Sequence, residues 1–391
     1  MTIDSLAFGG DGVGRDAAGR VAFVPGTAPG DEVTAEIVEE KKGFARGELV
    51  RVVRPGARVE PPCPRFAAGC GGCQWQHVAL AAQRAAKEDI VRRALRHVVP
   101  AEAIRPIAAP SPPLGWRRRA RLRFRRGTLG YLARRSHELV DVDTCPQLEP
   151  ALDAALAALR AIPLPGAGDV ELLLTRRGEV HVAVDGPEVR AADLAPLLGR
   201  AGIAGIVVRG ETFGAAEVDL GDGDAPFWAA ADGFAQASDA GNDLLRALVR
   251  EAAGAVAGRR VLELYAGSGN FTRDLAGADI VAVEESPAAA ARLARNARAG
   301  VRVGGADVPE GPFDVVAVDP PRTGLSPGLA AKLAALAAPT FVYVSCDPPT
   351  LARDLAPLVA AGYRAVWAQP VDLMPQTFHV EVVAALRLAV T

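Results

Sequence analysis

Short runs in which apolar and polar residues trade places open the chain, around 20–24, 32–38 and 46–53, and Pro-Gly turns at 25–26, 29–30 and 55–56 separate them. Strands this short, punctuated this tightly, predict a five-stranded open barrel over residues 1–60, of the kind that binds single-stranded nucleic acid or serves only as scaffold. Past Glu60-Pro61-Pro62 the period changes. Ile90, Ala94, Leu95 and Val98 recur at helical spacing. Val170, Leu172 and Leu174 alternate, and Val180, Val182 and Val184 alternate again across an Arg-Arg-Gly turn, which predicts an antiparallel hairpin. A further apolar run over 203–208 completes a mixed central domain, 61–240. From Asp243 the rhythm becomes helix, strand, helix, with helices over 244–257 and 288–299 and strands over 260–264, 279–283, 313–318 and 341–345. That alternation predicts an α/β, Rossmann-like domain over 241–391, an open parallel sheet with helices on both faces and its site at the carboxyl ends of the strands.

With 391 residues, half of them hydrophobic and 23% charged, the chain has ordinary globular composition and room for two or three domains. Its apolar runs are too short to cross a bilayer, and residues 1–10 include Asp4 and lack an apolar run behind a basic leader, so a soluble, cytoplasmic protein without a secretory signal or membrane partner is expected. The formal net charge of -2 hides an asymmetry: residues 84–135 carry fifteen Lys and Arg against Glu88, Asp89 and Glu102. Within that stretch Arg119, Arg121, Arg123 and Arg125 alternate with apolar residues, as in a strand with one face in the core and the other toward phosphates.

Three kinds of chemistry are written into the chain. The first is a nucleotide site: Val261-Leu262-Glu263-Leu264 leads into Tyr265-Ala266-Gly267-Ser268-Gly269-Asn270. Two glycines allow a tight turn and close approach of a ligand to backbone, and Glu284 at the end of the next strand can accept from ribose hydroxyls. The third glycine of a dinucleotide fingerprint is replaced by Thr272, which favours S-adenosylmethionine over a nicotinamide cofactor. Asp307 is either an adenine contact or a solvated loop carboxylate. In Asp319-Pro320-Pro321-Arg322 rigid prolines hold Asp319 beside the donor.

The second is a nucleophile and a base. Cys346, directly after a predicted strand, suits attack on C6 of a uracil ring, which makes C5 nucleophilic toward a sulfonium methyl group. A base must then remove the C5 proton, and Glu381 interrupts an apolar terminal strand in a way that suits that task; His379 is the alternative. The third is a thiol cluster: Cys63, Cys70, Cys73 and Cys145 can hold zinc or a [4Fe-4S] cluster, and Gly69, Gly71 and Gly72 let the backbone curl round it.

Taken together, these motifs resemble those of the class I RNA uracil-5-methyltransferases over almost the whole chain, most closely the iron–sulfur branch that acts on 23S ribosomal RNA. The resemblance implies a TRAM RNA-binding barrel over 1–60, a cluster-bearing, RNA-contacting domain over 61–240 and a methyltransferase domain over 241–391. It implies that Cys346 is the nucleophile and Glu381 the base. Gln236, Tyr265, Asn270, Glu284, Asp307 and Asp319 would contact S-adenosylmethionine, and Cys63, Cys70, Cys73 and Cys145 would ligate a structural [4Fe-4S] cluster. The partner it implies is structured RNA, 23S ribosomal RNA before transfer RNA, with no obligatory protein partner. Three departures stand out: a first cysteine interval one residue longer than the family pattern, Tyr265-Ala266 in place of an aromatic-Cys pair, and Asp307 where Asn is common. Against this stand an exocyclic amine methyltransferase, which could use the Asp319-Pro320-Pro321 loop without Cys346, and an RNA-binding protein without catalysis.

Overall fold

The computed structural model describes residues 1–222, 225–297, 301–304 and 308–389. The amino-terminal barrel consists of β1 (Ile3–Leu6), β2 (Gly12–Arg15), β3 (Val21–Val24), β4 (Glu32–Lys41) and β5 (Phe44–Arg54), ordered β1-β2-β3-β5-β4 with β3 and β5 parallel. Ile3, Val24 and Val33 fill its interior. Gly14 is required where β1 and β2 meet, because a Cβ there would lie 2.3 Å from the Thr2 carbonyl oxygen.

A short helix α1 (Pro64–Ala67) and a long helix α2 (Leu80–Leu95) follow. The central sheet contains β6 (Arg119–Arg125), β7 (Thr128–Leu132), β8 (Leu139–Asp141), β9 (Ala167–Leu174), β10 (Val180–Asp185), β11 (Ile203–Val208) and β12 (Glu211–Gly214), ordered β12-β11-β10-β9-β6-β7-β8. Helices α3 (Pro150–Arg160) and α4 (Ala191–Leu194) lie against it; Leu152, Leu156 and Leu159 of α3 pack on Leu122, Phe124, Leu172 and Val182. The expected hairpin is β9–β10, and β11 adds to β10 in parallel.

Alternation along β6 holds, with Ala120, Leu122 and Phe124 buried and Arg121, Arg123 and Arg125 exposed. The arginines are not a bare cationic stripe, however. Antiparallel register sets Arg121 opposite Glu171 and Arg123 opposite Asp169, and Arg119, Arg121 and Arg123 all form ion pairs with these two acids of β9. Three of the four guanidiniums on β6 thus share two carboxylates, and the phosphate-facing charge is smaller than the strand alone suggests.

After a two-stranded ribbon, β13 (Val218–Asp219) and β14 (Trp228–Ala229), comes the carboxy-terminal layer. Its elements are α5 (Asp239–Ala253), β15 (Arg260–Leu264), β16 (Asp279–Val283), α6 (Pro287–Asn296), β17 (Val301–Gly304), β18 (Val315–Val318), α7 (Leu329–Ala335), β19 (Thr340–Ser345), α8 (Pro348–Ala360), β20 (Tyr363–Val371) and β21 (Glu381–Leu388). Helix α5 starts earlier than its apolar period predicts because the Ser238 hydroxyl accepts from Gly241 N at 3.1 Å and caps it. The helix expected over 288–299 runs from Pro287 to Asn296; its last expected residues lie outside the described ones.

Strand order is β17-β16-β15-β18-β19-β21-β20. The first five strands are parallel, as expected, but β21 inserts antiparallel between β19 and β20. Val91 and Leu95 of α2, with Val99 and Ile104, sit in the core of this layer beside Leu351, Leu355 and Leu358 of α8. Ile104 and Ala108 bridge in parallel to Ala368 and Val371, so residues 104–108 cover the β20 edge of the sheet. Among the described residues no helix is long and apolar enough to cross a membrane.

Candidate active site

Strand register places the candidate residues in one row. Leu264 pairs with Val283 on one side and Val318 on the other, so the next residues along these parallel strands, Tyr265, Glu284 and Asp319, line up at the carboxyl edge. Ser345 pairs with Val382 in the antiparallel β19–β21 ladder, which sets Cys346 opposite Glu381, one step beyond the last pair. The reversed strand matters here, because it brings the start of β21 to the same edge as the ends of β15, β16, β18 and β19.

The glycine turn after β15 is tight. Tyr265 (φ 61°), Gly267 (φ 56°) and Gly269 (φ 94°) all adopt left-handed backbone, and Tyr265 is the costly one because its Cβ crowds the following carbonyl. Glu284 holds the turn shut: its carboxylate accepts from Gly267 N at 2.8 Å and from Ser286 N at 2.8 Å, with lone pairs left for a ribose. Asn270 is paired reciprocally with Asn242 of α5 at 2.8 and 3.1 Å. Gln236, Tyr265, Asn270 and Asp319 line one pocket with Gly267 and Phe271, and a second cleft opens on the far side of Tyr265 beside Glu284 and Val308. Asp307 lies outside the described residues.

Three carboxyls sit low in dielectric here. Burial pushes Asp319 up to about 7. Glu263, 3% exposed and bonded by the Thr272 hydroxyl at 2.6 Å, is pushed up to about 7 by burial, the neighbouring charge of Asp319 adding to it. Glu381, 8% exposed, is pushed up to about 8 by burial and then by Asp319, with Arg322 and Lys87 opposing. A cation brought among these groups is favoured and would return them to their ionised forms.

Cys346 sits between β19 and Asp347, whose side chain caps α8 by accepting from Thr350 N at 2.9 Å. The Ser345 hydroxyl accepts from Asp347 N at 3.1 Å and fixes the turn. Burial nonetheless pushes the thiol up to about 12, the Glu381 charge adds to this, and Arg322 opposes. Arg322 Nη2 also lies 3.3 Å from His379 Nε2. Burial and then that guanidinium push the imidazole down to about 3, which favours its neutral form.

The second constellation is in the central part. Cys63, Cys70, Cys73 and Cys145 line one cavity, with Phe66, Gly72, Gln76, Arg117, Tyr131 and Gln147 completing its wall. Gly71 fits against β7 because a Cβ would lie 2.6 Å from the Leu132 carbonyl oxygen, and Gly71 N donates to that oxygen at 2.9 Å. Among the described residues no three His, Cys, Asp or Glu side chains converge as a single metal ion requires. The thiols surround a hollow instead. Into the same wall are built three buried polar atoms without partners, Arg117 Nε, Gln147 Nε2 and Tyr131 Oη. Four thiols spread round a cavity rimmed by spare donors fit a polyatomic, anionic, acceptor-rich group better than a bare tetrahedral ion.

Several residues of this architecture carry no signal in the sequence. Asn242 is one turn into an amphipathic helix. Arg118, whose Nε donates to the Gln236 carbonyl at 3.1 Å and which pairs with Asp239, is one arginine among many. Lys87, fully buried with Asp372, reads as a surface lysine until α8 and β20 are packed against it. The expectation of a helix from 244 missed the Ser238 cap, although a Ser-Asp pair before an apolar period is a helix-start signal.

Comparison with known proteins gives a consistent picture. The TRAM domain family matches residues 1–50, and the tRNA (Uracil-5-)-methyltransferase family matches residues 281–388. An uncharacterised RNA methyltransferase of Gloeobacter violaceus is 33% identical over 99% of this chain and 96% of its own. The 23S rRNA (uracil(1939)-C(5))-methyltransferase of Chromohalobacter salexigens is 37% identical over 97% of this chain and 87% of its own. Among solved structures, the Pyrococcus abyssi tRNA (uracil-54, C5)-methyltransferase in complex with S-adenosyl-L-homocysteine superposes with a TM-score of 0.78 at 25% identity, covering 99% of both chains.

Proposed function

Because the chain belongs to the RNA uracil-5-methyltransferase family, we propose that it methylates C5 of a uridine in 23S ribosomal RNA, with Cys346 as nucleophile and Glu381 as base. The observation that carries this reading is the facing of Cys346 and Glu381 across the β19–β21 register, one strand away from Asp319. Bound S-adenosylmethionine supplies an electrophilic methyl group. The pocket of Gln236, Tyr265, Asn270 and Asp319 would receive it, and Glu284, which lines the neighbouring cleft and braces the turn at Gly267, would meet its ribose. Asp307 belongs to the same proposed set.

The Cys346 thiol gives its proton to water, the thiolate sulfur bonds to C6 of the uracil, and the electron pair of the C5=C6 bond moves toward O4; the thiolate released at the end is reprotonated from water. C5 then bonds to the methyl carbon as the S–CH3 bond breaks. Glu381 takes the C5 proton, the C5=C6 bond reforms and the C6–S bond breaks. Since the reacting edge of uracil is stacked in a helix, the target nucleotide must turn out of its stack to reach Cys346.

The rest of the proposal assigns the barrel, 1–60, to RNA binding, 61–240 to a cluster-bearing RNA surface and 241–391 to methyl transfer in a cytoplasmic enzyme. Cys63, Cys70, Cys73 and Cys145 would hold a [4Fe-4S] cluster; the spare donors of Arg117, Gln147 and Tyr131 support that reading. The group would act in architecture, since the cavity lies apart from Cys346.

The test is incubation of anaerobically purified protein with S-adenosylmethionine and 5-fluorouridine-substituted fragments of 23S ribosomal RNA and of transfer RNA. Fluorine at C5 blocks the last step, so an RNA adduct at Cys346 is expected by peptide mapping. A transfer RNA adduct alone would move the substrate to the class named for the Pyrococcus relative. No adduct with either RNA, or turnover by Cys346→Ala, would sink the mechanism.

A further inference from the structure

The segment 372–379, which leads from β20 to the proposed base at the start of β21, is gripped by parts of the chain nearly three hundred residues away in sequence. At its centre Gln376 adopts left-handed backbone (φ 68°), rare for a side chain of its size, and is 7% exposed. Its carbonyl oxygen accepts from Gln74 N at 3.2 Å and Trp75 N at 3.0 Å, the two residues directly after Cys73. Its own N–H donates to Gln83 Oε1 at 2.9 Å, and Gln83 Nε2 donates to Gln376 Oε1 at 2.9 Å, Trp75 O at 3.0 Å and Val78 O at 2.8 Å. Gln83 is completely buried, so these bonds are made without competing water. On the same loop the Trp75 indole donates to Gly10 O of the barrel at 3.0 Å, and Phe8 meets Phe378 edge to face at 5.3 Å.

We infer that Gln376, held by Gln83, is a positioning residue that ties the placement of the catalytic base to the loop of the four-cysteine cavity. Gln376 accepts two donors from the cysteine loop at its backbone carbonyl and meets Gln83 of α2 through its backbone N–H and its side-chain Oε1; it lies five residues before Glu381 and three before His379. A shift of Cys73 must therefore either break this set of bonds or be transmitted to the segment that aims the carboxylate. The unusual backbone conformation of Gln376 is held in place by these bonds. The ligand state of the cavity and the footing of the barrel are thereby registered at the proton-removal step, which gives a cavity remote from the chemistry a bearing on it.

The inference rests on Glu381 being the base, so the test carries that residue as its control. Gln376→Gly keeps the left-handed backbone and the carbonyl's bonds to Gln74 and Trp75 but removes the side-chain bond from Gln83; Gln83→Ala removes that bond and the acceptor of the Gln376 N–H, so both loosen the clamp that holds the shared carbonyl in place. With unsubstituted RNA and S-adenosylmethionine, both variants should accumulate the covalent RNA–protein species seen with Glu381→Gln. Their kcat should fall at least about tenfold while KM for the donor stays within about twofold. They should still trap 5-fluorouridine RNA at the wild-type rate, which general loosening of the fold would not permit. If Glu381→Gln releases product normally, the base assignment has failed; if it accumulates adduct and the glutamine variants do not, the coupling has failed. Native-state hydrogen exchange on the unaltered chain decides the matter should the variants not fold. Amides of 74–75 and 376–379 should open together with one denaturant slope, and separate opening of 376–379 overturns the proposal.

Discussion

Changing pH should separate the methyl donor from its product by charge alone. Asp319, at the carboxyl end of β18 and facing the pocket of Gln236 and Asn270, has a carboxyl pushed up to about 7 by burial. A sulfonium bound beside it requires the ionised carboxylate, so binding S-adenosylmethionine below pH 7 must release a proton. If the complex holds Asp319 fully ionised, the apparent dissociation constant scales as one plus the proton excess, and affinity at pH 8 should exceed that at pH 6 by about tenfold. S-adenosylhomocysteine has a neutral thioether at the same position and should bind with nearly flat pH dependence. The coupled carboxyl of Glu381, pushed up to about 8, can only steepen the donor's curve. Calorimetry of both ligands between pH 6 and 8, in buffers of different ionisation enthalpy, reads affinity and proton release together. Parallel pH profiles for the two ligands, or a gap between them that survives in Asp319→Asn, would refute the reasoning.

Lys87 and Asp372 are both fully buried, and Lys87 also donates to Met374 O at 3.0 Å. Lys87→Met should therefore destabilise the fold by about 3–5 kcal/mol in denaturant titration, and Asp372→Asn in the same chain should recover much of it. Ligand-free stability should fall as pH rises. Glu263, Asp319 and Glu381 have folded values near 7 to 8 against about 4 unfolded, so their contribution is complete below that lower value and is lost on passing through the upper ones. Melting temperature should thus drop between pH 6 and 8.5, less so in Glu263→Gln. Asp169→Asn frees Arg123 and leaves Arg121 only its longer contact with Glu171, and should tighten RNA binding and steepen its salt dependence; unchanged binding would remove the β6 face from the RNA surface. If the four cysteines hold the proposed [4Fe-4S] cluster, anaerobically purified protein should show visible absorbance and bound iron that Cys70→Ser loses, with affinity for S-adenosylmethionine retained by calorimetry; absence of both in the unaltered protein would remove the cluster from the proposal.

What could be read in the chain beforehand divides along physical lines. Strands 260–264 and 279–283 were legible to the residue because buried parallel strands are continuous apolar runs with polar ends. The direction of β21 was not, since an apolar run carries no record of which way it pairs, and yet that direction is what sets Glu381 opposite Cys346. The arginines of β6 were visible as a stripe, but Asp169 and Glu171, which neutralise part of it, come from a strand more than forty residues away. Lys87, Gln83 and Gln376 were invisible for a related reason. A buried polar residue differs from a surface one only in its partners, and these partners are nearly three hundred residues apart in sequence.

The loan of Val91, Leu95 and Ile104 to the core beside α8, together with the cover that 104–108 gives β20, bears on any attempt to miniaturise this enzyme. A fragment cut at the start of α5 would carry every reacting group yet leave a greasy flank and a raw sheet border open to water. Such a piece should clump on expression. A useful minimal catalyst has to retain residues 80–108 as a graft, and the catalytic layer is best regarded as a composite assembled from two separated stretches of chain.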